Sequence, residues 1–432
     1  MAITTQNYSP VVTLLQKQLS DDTELKKLLN KSLNLAKQSA QASLNASLFN
    51  ALNILYKNNG WPTNSDDYLS YLTYFEQVLP SESIELHGPW SNPLGYSQQI
   101  FDRLCQFYWL IDQPLTEYNK KTLQSYTNDG FSFADWLDKY ASEWGSFLNT
   151  SASLTNATLA TFLADPMYNA QDYINDKPNW VSFNTFFYRQ LNINTLNGSP
   201  MRPIANPNDN TIVTSPADCT FKAIYQIDAN GNVLDTNGNL TTFRLKQTHT
   251  IGKVNDLLGP DGEQYASKFY GGTFVHYFLS PFDYHRFHTP VSGKVKYIEA
   301  LSGSVFLDVQ ITGDQFDAPD SSTDGYEFTQ ARGVVIIDTG DDSIGSVATI
   351  PVGMAQVSSV HMYSNLAGQT VNKGTEFGYF AFGGSDIIML FEKPVDQLKF
   401  VETVANAQVP DSYTNPAGFH FKYGEPSVII QS

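Results

Sequence analysis

The spacing of apolar positions changes character near residue 200 of this 432-residue chain. Before that point Val11, Leu14, Leu15 and Leu19 recur at intervals of three and four, the repeat of one helix face. Asp21-Asp22 stands where a cap belongs, and Leu25, Leu28, Leu29, Leu33, Leu35, Ala36, Leu44, Leu48 and Leu52 carry the pattern on. Residues 9–58 therefore read as helical, and Asn58-Asn59-Gly60-Trp61-Pro62 ends the block. Further helices are expected over 66–79, 100–111 and 133–148, with a loop at His87-Gly88-Pro89-Trp90-Ser91-Asn92-Pro93. In the last helix Trp136, Leu137, Tyr140, Trp144, Phe147 and Leu148 form one stripe, which reads as core and not as a ligand box.

After Asn206-Pro207-Asn208-Asp209-Asn210 the period drops toward two. Strands are expected over 220–227, 294–300, 304–311, 333–338 and 347–352, with turns at Asp228-Ala229-Asn230-Gly231-Asn232 and Asn237-Gly238 and an acidic loop over 312–326. No long internal repeat is present. The expected fold class is α+β. A helical N-terminal domain (1–190) precedes a mostly antiparallel, two-sheet or barrel-like β domain (191–432).

Near the C-terminus two aromatic-rich runs flank Gly383-Gly384-Ser385, the second being Ile387-Ile388-Met389-Leu390-Phe391. Both read as buried strands. The glycine pair permits unusual backbone angles and clears side chains from the Gly384 carbonyl, one peptide bond from the Ser385 hydroxyl. On its own the stretch reads first as a bulge or tight turn with an incidental serine.

Composition narrows the function classes. A formal net charge of -17 disfavours nucleic acid and anionic lipid, both of which recruit Lys and Arg. Two cysteines make neither a disulfide framework nor a zinc cluster. The first residues have neither the basic nor the apolar region of a signal peptide, and no run of 18 apolar residues occurs, so a cytoplasmic chain without a membrane partner is expected.

Two of the seven histidines, His285 and His288, lie in Ser280-Pro281-Phe282-Asp283-Tyr284-His285-Arg286-Phe287-His288-Thr289-Pro290. The bracketing prolines and the aromatics favour extended backbone, on which positions three apart face opposite ways. Two separate roles then fit better than joint chelation, and no metal is expected. Asp218, after Ser215-Pro216-Ala217, is a candidate to orient a histidine base, or else the first residue of an Asx-turn. There is neither a Gly-x-Ser-x-Gly elbow nor a phosphate loop.

The run Leu279 to Gly293 resembles the histidine signature of the phosphatidylserine decarboxylase family, and Val371 to Phe380 followed by Phe382-Gly383-Gly384-Ser385 resembles its self-cleavage region. Ser215-Pro216-Ala217-Asp218 is similar to the family's aspartate segment, and Phe183 to Leu191 with Arg202-Pro203 to the lead into its catalytic domain. The resemblance implies that His288, oriented by Asp218, takes the proton of Ser385 as its oxygen attacks Gly384. Cleavage would leave a β chain, 1–384, and an α chain, 385–432, beginning with a pyruvoyl cofactor that receives a substrate amine as a Schiff base. His285 would then return a proton to the substrate α-carbon.

The phospholipid enzymes usually carry Leu-Gly-Ser-Thr at the cleavage point, whereas this chain has Gly383-Gly384-Ser385-Asp386. With its long helical region it is more similar to the subgroup containing fungal L-tryptophan decarboxylase. That implies a free, aromatic or otherwise apolar amino acid as substrate. Phosphatidylserine is the alternative, and a non-catalytic β-domain binding protein a second. Asp386 has two readings, a partner for a cationic group beside the cofactor or a turn cap.

Overall fold

The computed structural model describes residues 8–56, 60–82, 99–173, 180–192, 201–234, 243–245, 249–312, 315–317, 330–354, 360–401 and 419–431. The expected loop at His87–Pro93, the Asn237-Gly238 turn and most of 312–326 lie outside them. One compact unit comprises Met1–Phe162 with Ser304–Pro319, and the other Leu163–Gly303 with Asp320–Ser432.

The first unit is helical. Ser9 caps Pro10–Asp21 by accepting the Val12 N–H, with Pro10 preset for the first helical position. Asp22 caps Thr23–Ser43 by accepting from Glu24 and Leu25. Ala46–Leu55, Ser65–Phe75, Gln99–Trp109 and Phe133–Leu148 follow. The aromatic stripe of the last is core, as its spacing implies: Trp136, Tyr140 and Trp144 are buried, and Phe147 is half-buried. Two of these rings donate to backbone carbonyls, Trp136 Nε1 to Val11 at 2.9 Å and the Tyr140 hydroxyl to Leu72 at 2.6 Å.

The strand expected over 304–311 does not form, apart from its last two residues in Gln310–Thr312. Val305 and Val309 of this segment are buried, and Phe306, Leu307 and Asp308 between them are half-buried. Its backbone, however, is satisfied by side chains of the helical unit: the Val305 N–H donates to Asp138, and the Val309 N–H to Asp112. Apolar residues report burial, not which groups bond the backbone.

The second unit is built on an antiparallel sheet of nine strands among the described residues. Its order is Thr370–Val371, Gly293–Leu301, Arg332–Asp338, Ser346–Met354, Gly384–Phe391, Thr273–Leu279, Cys219–Ile227, His420–Phe421, with Val233–Leu234 also on Cys219–Ile227. The order runs from one edge strand to another, so the sheet is open and the barrel-like alternative is not realised. Two three-stranded sheets accompany it, one of Val360–Met362, Glu376–Phe380 and Arg286–His288, the other of Leu398–Phe400, Pro426–Ile430 and Ile212–Thr214.

Gly384–Phe391, called the serine strand below, is flanked by Ser346–Met354 and Thr273–Leu279. Its register fixes its faces. Ile388 and Leu390 join Phe274, Ile336, Ala348, Ile350, Val352, Leu257 and Leu258 in one core. Ser385, Ile387 and Met389 belong to the opposite face, opposite Leu279, Tyr277 and Val275.

Candidate active site

Ser385 is the second residue of the serine strand and is fully buried. Its Oγ lies 3.5 Å from the Gly383 carbonyl oxygen. Gly383 adopts φ 158°, a backbone angle that residues with a side chain rarely take, which is the freedom a glycine supplies here. The Phe382 N–H donates to Asn184 Oδ1 at 3.0 Å, and the Phe382 ring meets Phe183 and Phe187 edge-on at 5.0 and 5.1 Å. Phe183–Phe187 is a short helix held by a reciprocal Ser182–Thr185 capping box.

That short helix also holds His285, whose ring stacks on Phe187 at 3.8 Å. The His285 carbonyl accepts the Phe380 N–H at 2.9 Å. His285 is fully buried, and neither ring nitrogen makes a hydrogen bond of normal geometry among the described residues. Burial holds it well below the usual histidine value, Arg189 adds to this, and the Asp283 backbone opposes it. The ring is therefore neutral at rest.

His288 occupies different surroundings, as an extended segment requires. Its Nε2 is 3.0 Å from the Tyr284 hydroxyl and its Nδ1 3.0 Å from the Gly374 carbonyl oxygen. Because a carbonyl only accepts, Nδ1 carries the proton, and Nε2 is left as the basic atom, accepting from Tyr284. Tyr423 stacks on the ring at 3.8 Å. Burial lowers His288 to about 4, with Glu376 opposing.

Asp218 makes no hydrogen bond to His288 among the described residues. Its carboxylate pairs with Arg202 and accepts the Tyr423 N–H at 2.8 Å. Tyr423 stands between them, its amide on Asp218 and its ring on His288, so any orienting effect passes through Tyr423. Nor does a hydrogen bond join Ser385 to either histidine among the described residues. Asp386 is on the face opposite Ser385, which removes it from the place beside the reacting serine that one reading gave it.

Sequence reasoning missed Tyr284, Tyr423 and His420. Tyr284 adjoins His285 within the signature and could have been found there. His420 comes from a C-terminal strand and Tyr423 from the turn after it, and neither carried a local signal. His420 Nε2 is 2.8 Å from Asp283 Oδ1; burial alone would lower this histidine, but Asp283 outweighs it and holds it up.

Two expectations follow. Arg202→Leu would strand the buried Asp218 carboxylate and cost about 3–5 kcal/mol, read as a lower urea midpoint. The second concerns pH. Folded His288 sits near 4 and an unfolded histidine near 6.5. The unfolded chain takes up the proton first, so this histidine's contribution to stability is present above 6.5 and is lost as pH falls toward 4. Urea midpoints measured across that window should decline on acidification.

The family model for phosphatidylserine decarboxylase matches residues 183–424, more than half of the chain. The chain belongs to the phosphatidylserine decarboxylase family. It is 28% identical over 276 residues to Decarboxylase iboD of Amanita muscaria, covering 57% of this chain and 73% of that one. It is 30% identical over 275 residues to phosphatidylserine decarboxylase proenzyme 2 of Oryza sativa subsp. japonica, covering 63% and 39%. It is 28% identical over 271 residues to the phosphatidylserine decarboxylase proenzyme of Clostridium novyi, covering 61% and 79%. Among the described residues, no helix is long and apolar enough to cross a membrane, and no three His, Cys, Asp or Glu residues group as metal ligands.

Proposed function

We propose that the chain is a self-processing, pyruvoyl-dependent decarboxylase of a free amino acid. The observation that carries this reading is His285, a buried imidazole whose ring nitrogens make no hydrogen bond of normal geometry among the described residues, held by Phe187 and Phe382 to the segment that ends in Gly383-Gly384-Ser385. Residue 385 is shielded from water between two strands, so the residues present fit a ketone at that position.

In the first stage the Ser385 oxygen attacks the Gly384 carbonyl carbon. A C–O bond forms, the peptide C–N bond breaks, and His288 passes the hydroxyl proton to the freed nitrogen. Loss of the residue-385 α-proton expels the Gly384 carboxylate, and water then displaces the nitrogen as ammonia, leaving the ketone. Burial protects the intermediate ester from early hydrolysis.

When present, the pyruvoyl group supplies an electron sink for CO2 loss from a bound amine. His285 returns a proton to the substrate α-carbon. Phe187, stacked on His285, fixes the plane from which that proton comes. Arg286 pairs with Glu376 at 2.5 Å and lies over Tyr379, tying the histidine segment to Glu376–Phe380.

Phosphatidylserine is the second reading, favoured by the names of the Oryza and Clostridium relatives. The proposed free amino-acid substrate rests on the Gly383-Gly384-Ser385-Asp386 sequence in place of Leu-Gly-Ser-Thr. CO2 release should be measured with free amino acids and, in parallel, with phosphatidylserine vesicles. Release from an aromatic or other apolar amino acid is the expected result. Release from vesicles alone would transfer the assignment to the phospholipid, and release from neither would contradict a decarboxylase.

A further inference from the structure

Asp386 is an acid in the middle of an open sheet's core. Register places Asp386 with Val352 on one side and Phe278 on the other, and His276 two pairs further along opposite Ile388. Residues two apart share a face, so Asp386 and His276 lie diagonally on the face of Ile388, Leu390 and Phe274. His276 Nε2 is 3.3 Å from Asp386 Oδ2, and both side chains are fully buried, an ion pair when the imidazole carries its proton. A helix spanning Val254–Gly262 contributes Leu257 and Leu258 to the same core.

The position of the pair along the chain gives it a second meaning. Residue 385 is held from its N-terminal side by Gly384, itself in register with Met354. A break between 384 and 385 removes that hold and makes the second residue of the strand a chain end, which tends to fray. Asp386 is then the first side chain behind the new end. His276 belongs to the other fragment, on the neighbouring strand. We infer that the His276–Asp386 pair is a positioning pair that pins the new end of the serine strand after cleavage, holding residue 385 in the register it had in the uncut chain. This rests on the self-processing proposed above.

The pin differs from an ordinary core contact in one respect: it matters more in the cut protein than in the uncut one. Asp386→Thr removes the acid with a residue suited to strands. It should be compared in the self-processing protein and in the uncleavable Ser385→Ala background. The expected result is a fall in the guanidinium midpoint at least about twice as large in the cut protein as in the uncut one, with His276→Gln showing the same asymmetry. Turnover should fall on the order of 10-fold or more with KM little changed, the signature of a displaced reacting group. Equal midpoint shifts in the two backgrounds would overturn the inference. So would a folded Asp386→Thr protein that stays uncut, because the pair would then serve the cleavage step.

A measurement without substitutions in the pair covers the case in which those variants do not fold. Amide exchange at 386–388 should be as slow in the cut protein as in Ser385→Ala. Fast exchange confined to the cut protein would mean that the end frays despite the pair, and would overturn the inference. A wild-type chain that never cleaves contradicts the self-processing reading itself, and so is distinct from each of these results.

Discussion

Ser385→Ala is expected to keep the chain in one piece and to abolish decarboxylation, while leaving the fold intact. The variant removes one oxygen from a fully buried residue on a strand whose other residues are mainly apolar. The hydroxyl's sole hydrogen bond among the described residues, to Gly383, is long at 3.5 Å, so little stability depends on it. The melting temperature should therefore barely change. Activity should vanish because alanine has no oxygen with which to open the peptide bond, and no ketone can form. A variant that still splits at 384–385 would mean that another residue cleaves the chain. One that stays whole but still releases CO2 would mean that the reaction needs no pyruvoyl group.

The second large effect separates the two histidines. His288→Gln should slow cleavage by roughly 100- to 10,000-fold, the usual range for a lost general base, and leave a folded precursor. His285→Gln should cleave normally and lose a comparable factor in kcat. Their different pH dependences offer a check without mutation. Cleavage needs the unprotonated Nε2 of His288, which burial lowers to about 4, so its rate should hold through neutral pH and fall only as pH nears 4. Turnover needs a protonated His285, which burial keeps neutral, so kcat should rise as pH falls below neutrality. Precursor made by cell-free translation gives the first rate, and processed enzyme the second. Cleavage lost in the His285 variant and retained in the His288 variant would reverse the two roles.

Much of the fold was legible because apolar periodicity reports burial directly. The helix over Phe133–Leu148, the Asp22 cap and the central strands follow from spacing and from short polar signals. The error over 304–311 has the same origin: its apolar residues recorded burial, while Asp138 and Asp112 supplied bonds that a partner strand would have made.

The site was legible where its parts are close in sequence. His285 and His288 stand three residues apart, and extended backbone sends them to Phe187 and Tyr423 respectively. What could not be read was contact between distant segments. Asp218 was expected to meet a histidine, yet Arg202 and the Tyr423 amide take its carboxylate. Tyr423 comes from a turn near the C-terminus, 205 residues from Asp218, and no local pattern announces that encounter. Asp386 had two local readings, and its diagonal pairing with His276 became visible only once the register with Thr273–Leu279 was fixed.

The central claim is that residue 385 is a serine in the translated chain and a ketone in the working protein. Intact mass spectrometry of the purified, denatured protein tests it most directly. The account predicts two chains, residues 1–384 and 385–432, the smaller one lighter than its encoded mass by the exchange of its terminal amine for a ketone oxygen and the loss of the serine hydroxyl. A single chain of 48.2 kDa in a folded preparation would contradict it.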